Sequence, residues 1–550
     1  MAENGSTLLG KALKQQGVDT MFFLMGGPML AAESACIAEG IRSIDVRHEQ
    51  AAAMMAHAYA RLKTRPGVCI TASGPGTINA GTGLATSLVD CTPVVALGGA
   101  SPLGEFGIGA FQEFDQLAAM RPLVKWAERV YEARRIPELI DRAFTIAMSG
   151  KPGPVYLDFP GDLLYRALDP ATVPWPARAG AQDLARAAGD PQAVERIARL
   201  LETAERPVLV TGSGVLWSQA AAAMQRFVDA TGIPFYTTPQ GRGVVPEDHP
   251  YCYLNARTQA FRDADVVLVL GTRVNYVLGH LKAPRFHAEA KIVRIDIDAT
   301  EVASTPRMEE GLVADARCAL EQLLAACDRR VAPARFEAWR RKLAEAHVRR
   351  SAAQEALLNS DRTPIHPLRL CREIRDFLDR DAVLVVDGQE ILNFGRQSIP
   401  SYLPGHRINS GTFGTMGVGL PYALGAKVAC PDKQVLCLHG DGSLGLNFME
   451  MDTAVRHRIP VITVVSLNGG WTSDPSKQKP GRELGLTRFH DMAAALGCHA
   501  SYVEDPAQIQ PALAAARRAT QEGVPALVNV RTDPDAQATT AKFTTFYDAA

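Results

Sequence analysis

The sequence carries no excess of charge of either sign. Its 58 lysine and arginine residues balance 59 aspartate and glutamate residues, which leaves a formal net charge of -1 at pH 7. Nucleic acids and anionic membranes attract proteins that display a strongly basic surface. We therefore expect neither a nucleic acid nor a membrane among the partners of this protein.

Long apolar runs are missing as well. The longest, such as residues 461–467, are far shorter than the roughly 20 residues that cross a bilayer as a helix. The N-terminal residues contain no basic segment followed by an apolar one, so they do not resemble an export signal. Both absences predict a cytoplasmic protein.

The ten cysteines form no recognisable pattern. None belongs to a C-x-x-C pair, and none is spaced from a histidine as the ligands of a zinc site are. A disulfide scaffold and a structural zinc site are therefore excluded as interpretations of the sequence. Reduced thiols in a reducing compartment fit the pattern best.

What the sequence does have is a repeated alternation of short apolar runs and amphipathic helical stretches. Its 550 residues, 47% apolar and 21% charged, have a globular composition and length enough for about three to four domains. Strands that alternate with helices predict parallel sheets. We expect an α/β protein of three domains, each a mostly parallel sheet flanked by helices, at residues 1–170, 190–330 and 365–535, followed by a tail at 536–550.

The most informative stretch lies in the third domain, where two apolar runs end in polar turns. Residues 435–440 lead into Asp441, Gly442 and Ser443, and residues 461–467 lead into Asn468. Carboxyl ends of parallel strands line the ligand crevice, and glycine turns present N–H groups to phosphates. The Asp441 carboxylate, the Asn468 amide oxygen and a backbone carbonyl just beyond it, that of Gly470, are suitable oxygen ligands for magnesium. The pattern predicts a magnesium-diphosphate site.

A Gly-Asp-Gly tripeptide alone also occurs in surface turns, but its spacing here is informative. Asp441 and Asn468 lie 27 positions apart, with strand, turn, helix and strand in order. This arrangement resembles the diphosphate- and magnesium-binding signature of thiamine diphosphate-dependent enzymes. That family usually has a second asparagine where this chain has Leu467. The resemblance implies thiamine diphosphate and Mg2+ as cofactors.

A second motif is Val-Arg-His-Glu at residues 46–49, between an apolar run and a helical stretch. By itself, Glu49 is typical of an acid at a helix start, where the helix dipole favours it. The segment resembles the family motif whose glutamate hydrogen-bonds the aminopyrimidine ring and thereby promotes deprotonation of the thiazolium. The resemblance therefore implies that Glu49 is catalytic. His48 has no second ligand at metal spacing, and we interpret it as structural.

Four further segments resemble the family. Residues 73–76 and 109–116 are similar to segments that approach the thiazolium, which makes Gln112 the expected polar contact to substrate. Residues 411–417 resemble the pyrimidine platform, and residues 387–390 the other diphosphate-binding turn, although Glu390 is an unexpected acid there. The cofactor-binding residues implied are Gly388, Gln389, Gly414, Met416, Asp441, Gly442, Ser443, Asn468 and Gly470.

The chain looks most like the 2-hydroxyacyl-CoA lyases within this family, on segments such as residues 65–76 and 109–116. This implies cleavage of a 2-hydroxyacyl-CoA to formyl-CoA and an aldehyde or ketone, with carboligation as the reverse reaction. The alternatives are a carboligase similar to acetolactate synthase or benzaldehyde lyase that acts on small 2-oxo acids or aldehydes, an oxalyl-CoA decarboxylase, and an inactive cofactor-binding subunit.

The resemblance also bears on the central domain and on assembly. Arg257, Arg273 and Asp296 match positions that contact ADP or CoA in the CoA-handling branch, whereas acetolactate synthases hold FAD there; a vestigial domain without ligand is the plain alternative. Family members share their sites between subunits, which implies a homodimer or homotetramer. The tail at 536–550 is a candidate lid.

Overall fold

The computed structural model describes residues 3–177, 185–305 and 307–538. These residues form three α/β units, each with one parallel sheet between helices, so the predicted fold class is confirmed. The final residues of the predicted lid, 539–550, lie outside the described residues.

The first sheet has six strands in the order β2-β1-β3-β4-β6-β5. Its strands are β1 Thr20–Phe23, β2 Arg42–Asp45, β3 Gly67–Thr71, β4 Val94–Ala100, β5 Trp126–Arg129 and β6 Val155–Pro160. Its helices are α1 Gly5–Gln15, α2 Leu30–Ala38, α3 Glu49–Lys63, α4 Pro75–Asn79, α5 Gly81–Val89, α6 Gln116–Met120, α7 Ile136–Met148 and α8 Gly161–Tyr165.

The central sheet has five strands in the order β11-β10-β9-β7-β8. Its strands are β7 Pro207–Thr211, β8 Phe235–Thr237, β9 Val266–Leu270, β10 Lys291–Asp296 and β11 Met308–Val313. The helices are α9 Pro191–Thr203, α10 Ser213–Trp217, α11 Ala221–Thr231, α12 Arg257–Asp263, α13 Ala299–Ala303 and α14 Ala316–Cys327, followed by the connecting helices α15 Glu337–Ala352 and α16 Glu355–Leu358.

The third sheet has the order β13-β12-β14-β15-β17-β16, which repeats the strand order of the first sheet. Its strands are β12 Val383–Asp387, β13 Arg407–Asn409, β14 Val435–Gly440, β15 Ile462–Leu467, β16 His499–Val503 and β17 Ala526–Arg531. Its helices are α17 Pro367–Phe377, α18 Glu390–Ser398, α19 Gly419–Ala429, α20 Asp441–Leu446, α21 Glu450–Arg456, α22 Phe489–Ala495 and α23 Ile509–Gln521.

Most strands of the third sheet are buried and read as continuous apolar runs, because helices cover both faces of the sheet. The neighbouring strands β12, β14 and β15 are parallel, so their carboxyl ends meet at one edge. The three turns that the sequence singles out at residues 388–390, 441–443 and 468–470 follow these ends. The fold therefore brings together residues that lie up to about 80 positions apart.

The first and third domains of the chain pack closely against each other. Helices α3 and α19 share one apolar core, to which Met55 and Leu424 both belong. A Cβ on Gly425 would lie 2.3 Å from the carbonyl oxygen of Met55, so a larger residue there would push the helices apart. This helix pair fixes where the first domain sits on the third.

Candidate functional site

The first turn of the site follows β12. Asp387 is fully buried at the end of this strand, and its carboxylate accepts the backbone N–H groups of Gly388 at 2.7 Å and Gly419 at 2.9 Å. Gly388 has a φ of 120°, and a Cβ there would lie 3.1 Å from the backbone nitrogen of Gly440. The turns after β12 and β14 thus lie side by side, with glycine where they approach.

The second and third turns bring two oxygen donors to one point. The Gly470 N–H donates to Asp441 Oδ2 at 3.1 Å and to Asn468 Oδ1 at 3.2 Å. Asp441 is 3% exposed; burial raises the pKa of its carboxyl to about 6, while the backbone N–H groups of Gly442, Gly469 and Gly470 oppose this rise. A carboxylate and an amide oxygen therefore lie together at a buried point.

Eight of the nine residues expected to bind the cofactor line one cleft. Its lining includes Gly388, Gln389, Met416, Asp441, Gly442, Ser443, Asn468 and Gly470. Gly414 is not among the lining residues and has no heavy atom within 4 Å of where its Cβ would be. The structure thus gathers the expected residues of the third domain, with one exception.

The donor set of this cleft fits a magnesium-bound diphosphate. Asp441 and Asn468 supply hard oxygen atoms, and glycine lets the turns after β12 and β14 approach closely, since a Cβ on Gly388 would lie 3.1 Å from the Gly440 nitrogen. Within the described ranges, no cluster of three histidine, cysteine or acidic residues offers an alternative metal site. Asp441 and Asn468, with the Gly470 carbonyl, are the residues that would hold the ion.

Leu467, the departure from the family pattern, does not face this cleft. Its side chain is 1% exposed and belongs to the apolar core between the first and third domains. Successive side chains of a strand point to opposite faces of the sheet. The substitution of asparagine by leucine therefore removes no oxygen from the donors around Asp441.

Glu390, the unexpected acid, has partners that account for it. Its carboxylate accepts the hydroxyl groups of Thr472 at 3.4 Å and Ser473 at 3.3 Å, and the backbone N–H of Ala538 at 3.2 Å. It thus joins the loop after Trp471 to the C-terminal segment at the edge of the cleft.

The first domain brings its own expected residues together. Glu49 is 6% exposed at the start of α3, and its Oε2 accepts the side-chain amide of Asn79 at 2.9 Å. Its Oε1 lies 3.2 Å from where a Cβ on Gly76 would be. Ser73 donates its hydroxyl to Gln112 Oε1 at 2.7 Å, so the segments 73–76 and 109–116 meet beside Glu49.

The expected residues of the first domain and those around Asp441 do not line one cleft. Among the described residues, none from the first domain lines the cleft around Asp441. Large apolar side chains are exposed near both groups: Phe111 is 82% exposed beside Gln112, and Phe413 is 51% exposed on the loop of Met416. Exposed apolar side chains close to polar site residues are typical of surfaces that another protein covers.

A further cavity of about 730 Å3 lies where the central domain meets the other two. Arg273 and Asp296 line it, together with Asp90 of the first domain and Thr412 of the third. Arg273 also donates to the backbone carbonyl of Val89 at 2.9 Å. Arg257, the third residue expected at a nucleotide site, is not among the residues that line this cavity.

Arg257 lies instead in a group of arginines between the central and third domains. Its pKa is lowered to about 9, mainly by burial and also by charge repulsion from Arg285 and Arg396. Its Nε and one terminal nitrogen are buried and form no hydrogen bond in the described structure. Arg242 and Arg407 lie deeper and donate to the same carbonyl, that of Ile399, at 2.9 and 3.5 Å.

Sequence reasoning missed several residues of the site. Arg482 is 6% exposed, donates to the backbone carbonyls of Thr472 and Asn468, and so braces the loop that carries the third oxygen donor. Asn79 holds the carboxylate of Glu49. Neither residue belongs to a motif of fixed spacing, and only the fold brings them to these positions.

No helix within the described ranges is long and apolar enough to cross a membrane.

Three family models match the chain. They are the N-terminal TPP binding domain of thiamine pyrophosphate enzymes over residues 3–119, the central domain over 194–323 and the C-terminal TPP binding domain over 392–530.

Individual relatives match along most of the chain. The acetolactate synthase large subunit IlvG of Mycobacterium tuberculosis is 35% identical over 542 residues, which covers 96% of this chain and 95% of the relative. Human 2-hydroxyacyl-CoA lyase 1 is 31% identical over 555 residues, covering 97% and 95%. Oxalyl-CoA decarboxylase of Escherichia coli is 31% identical over 487 residues, covering 85% and 83%. These relatives differ in activity and are similar in their degree of identity.

Proposed function

Because the chain belongs to the thiamine diphosphate-dependent enzymes, we propose that it is a carbon–carbon lyase that cleaves a 2-hydroxyacyl-CoA to formyl-CoA and an aldehyde or ketone. The bond between the thioester carbonyl carbon and C2 breaks. The C2 hydroxyl loses its proton as it becomes a carbonyl, and the thioester carbon gains a proton to give formyl-CoA. The reverse reaction is a carboligation.

The residues of the two domains have separate roles in this reaction. Asp441, Asn468 and the Gly470 carbonyl would hold Mg2+, which would neutralise the diphosphate. Glu49 would share a proton with the aminopyrimidine ring, and Gln112 would orient the substrate. Thiamine diphosphate, once bound, supplies an electron sink for the cleaved bond.

The arginine group around Arg257 is the observation that favours a CoA ester over a small 2-oxo acid as the substrate. A small 2-oxo acid bears one negative charge, next to its reacting carbonyl, whereas CoA bears several phosphate charges far from the thioester. Arg257 is half-buried, and the groups that act most strongly on its pKa include Arg285 and Arg396, with no carboxylate among them. Buried cations of like charge are costly unless an anion pairs with them. A polyphosphorylated ligand would supply that anion.

The position of this arginine group also suits a long substrate. Arg285 donates to the backbone carbonyl of Tyr276 at 3.3 Å, and the Tyr276 hydroxyl donates to the carbonyl of Thr412 at 3.0 Å. Thr412 belongs to the loop of Met416, which lines the cofactor cleft. A substrate anchored by its phosphates at Arg257 would therefore extend toward the cofactor along this side of the loop.

The test compares Arg257→Gln with wild type on two substrates, a 2-hydroxyacyl-CoA and the same acyl group on pantetheine, which lacks the nucleotide phosphates. We expect the KM for the CoA ester to rise about 10- to 100-fold, as loss of a charge-assisted contact predicts. The KM for the pantetheine ester should stay unchanged.

Arg262→Gln is the matched control, because Arg262 lies on the same helix and pairs with Asp263 at the surface. Equal effects on both substrates, or cleavage of neither one by the wild type, would contradict a CoA lyase.

A carboligase acting on small 2-oxo acids is the second candidate, because the relative at 35% identity is an acetolactate synthase subunit. The cavity beside Arg273 and Asp296 offers the discriminating measurement. Release of ADP from denatured protein would support the CoA enzyme, and release of FAD would support the synthase-like carboligase.

Because no described residue of the first domain lines the Asp441 cleft, a homodimer or homotetramer is supported in which one subunit supplies Glu49 and another supplies the cleft. The exposed Phe111 and Phe413 lie beside the two halves and would be covered in such an assembly. A fully active monomer in solution would overturn this arrangement.

A further inference from the structure

Glu49 begins α3, so its position depends on the backbone that precedes the helix. His48 caps the helix and accepts the Gln50 N–H at 3.2 Å. The side chain of Glu49 is held by Asn79 of its own domain. The residues on both sides of Glu49, however, are held by the third domain.

Glu450 holds the N-terminal side. This residue begins α21 and is 1% exposed, and its Oε1 accepts the backbone N–H of Arg47 at 3.0 Å. The Thr453 hydroxyl donates to Oε2 of the same carboxylate at 2.7 Å. A buried acid of the third domain therefore holds the backbone two residues before Glu49.

Asn447 holds the other side. It is 6% exposed in the turn between α20 and α21, and its Oδ1 accepts the side-chain amide of Gln50 at 2.9 Å. Its own amide donates to the backbone carbonyl of Gly417 at 2.7 Å. Gly417 follows Met416, so one side chain contacts both the start of α3 and the loop of the chain's own cleft.

We propose that Glu450 and Asn447 are positioning residues that hold the backbone around Glu49 so that its carboxylate meets the pyrimidine ring of the cofactor. The inference rests on the proposed function, because it takes Glu49 as the group that contacts the cofactor. Misplacement of a catalytic group by about 1 Å can slow a reaction roughly 100-fold. The bond from the Arg47 N–H to Glu450 and the bond from the Gln50 side chain to Asn447 restrict such movement.

The experiment uses Glu450→Ala, with Glu450→Gln as the conservative variant and Asp452→Asn as the control. Asp452 lies on the same helix but pairs with the side chains of Arg47 and Arg456 at the surface. Hydrogen exchange of the amides of residues 47 and 48 is measured in protein without cofactor. Circular dichroism of the bound aminopyrimidine and exchange of the cofactor's C2 hydrogen are measured in the complex with Mg2+.

We expect Glu450→Ala to speed amide exchange at residues 47 and 48, weaken the dichroism signal and slow C2 exchange about 10- to 100-fold. The Kd for thiamine diphosphate should change little, because Asp441 and Asn468 are untouched. Glu450→Gln should recover part of each signal, since its amide oxygen still accepts one N–H. Asp452→Asn should match the wild type.

If Glu450→Ala does not fold, Gln50→Ala, Asn447→Ala and the double variant replace it. Their effects on C2 exchange should be less than additive, because both substitutions break the same bond. C2 exchange at the wild-type rate in folded variants, or fully additive effects, overturns the positioning role. Failure of the wild type to bind thiamine diphosphate or to accelerate C2 exchange overturns the proposed function instead.

Discussion

The backbone N–H of Gly470 donates to the carboxylate of Asp441 at 3.1 Å, although 29 positions separate the two residues. The bond places the turn after β15 against the turn after β14 and leaves the oxygens of Asp441 and Asn468, the proposed metal ligands, close together. We therefore expect Asp441 to govern cofactor binding.

Asp441→Ala should raise the Kd for Mg2+ and thiamine diphosphate by about 100-fold or more, because it removes the only charged ligand of the proposed set. Isothermal titration of the cofactor at fixed Mg2+ measures the change. Chelation of Mg2+ should release the cofactor from the wild type. Asp432→Ala is the control, since Asp432 is exposed just before β14. Unchanged affinity in Asp441→Ala would refute the site.

Leu467→Asn, which restores the residue usual in the family, should destabilise this protein by about 2–4 kcal/mol without tightening Mg2+ binding. The side chain is buried in an apolar core, where an amide would lack hydrogen-bond partners. Urea unfolding and Mg2+ titration measure the two effects. Leu467→Met should lower the free energy of unfolding by less than about 1.5 kcal/mol. Tighter Mg2+ binding by Leu467→Asn would show that position 467 reaches the metal after all.

Subunit mixing tests whether Glu49 and Asp441 act in the same site from different chains. Glu49→Gln should abolish turnover because an amide cannot share the proton, and Asp441→Ala should abolish it through loss of the cofactor. Co-expression of the two inactive chains should restore roughly a quarter of wild-type activity, because half of the random dimers contain one intact site of two. If both residues served one site within a chain, the mixture would stay inactive.

Glu33 should make stability depend on pH. It is 2% exposed in α2, its carboxylate has no hydrogen-bond partner in the described structure, and burial raises its pKa to about 8. The folded protein therefore keeps this proton between the ordinary carboxyl pKa and about pH 8, while the unfolded chain loses it. Stability falls as pH rises through this window, by at most about 1.4 kcal/mol per pH unit.

Glu33→Gln removes this titration, so its advantage over the wild type should grow from pH 5 to pH 8 and then level off. Urea unfolding at several pH values measures this difference in stability. Glu39→Gln is the control, because Glu39 lies just beyond the same helix. A constant difference between Glu33→Gln and the wild type at all pH values would mean that Glu33 is ionised in the folded protein.

The motifs around Asp441, Asn468 and Glu49 could be found from sequence because each follows an apolar run that forms a strand. Strand order could not be read from those runs, yet it places the turns after β12, β14 and β15 at one edge. In the sequence, Leu467 and Glu390 depart from the residues expected in the family motifs. The structure assigns Leu467 to the core and gives Glu390 partners from two other segments, which no spacing rule could supply.

By itself the sequence determined the three-domain α/β architecture and the family, since both depend on local apolar periodicity and on short motifs of fixed spacing. Only the tertiary structure decided that no described residue of the first domain lines the Asp441 cleft, that Arg257 joins other arginines rather than the cavity beside Arg273, and that Glu450 and Asn447 hold the start of α3. These relations depend on how whole domains pack, and packing is set by many weak contacts between residues far apart in the chain.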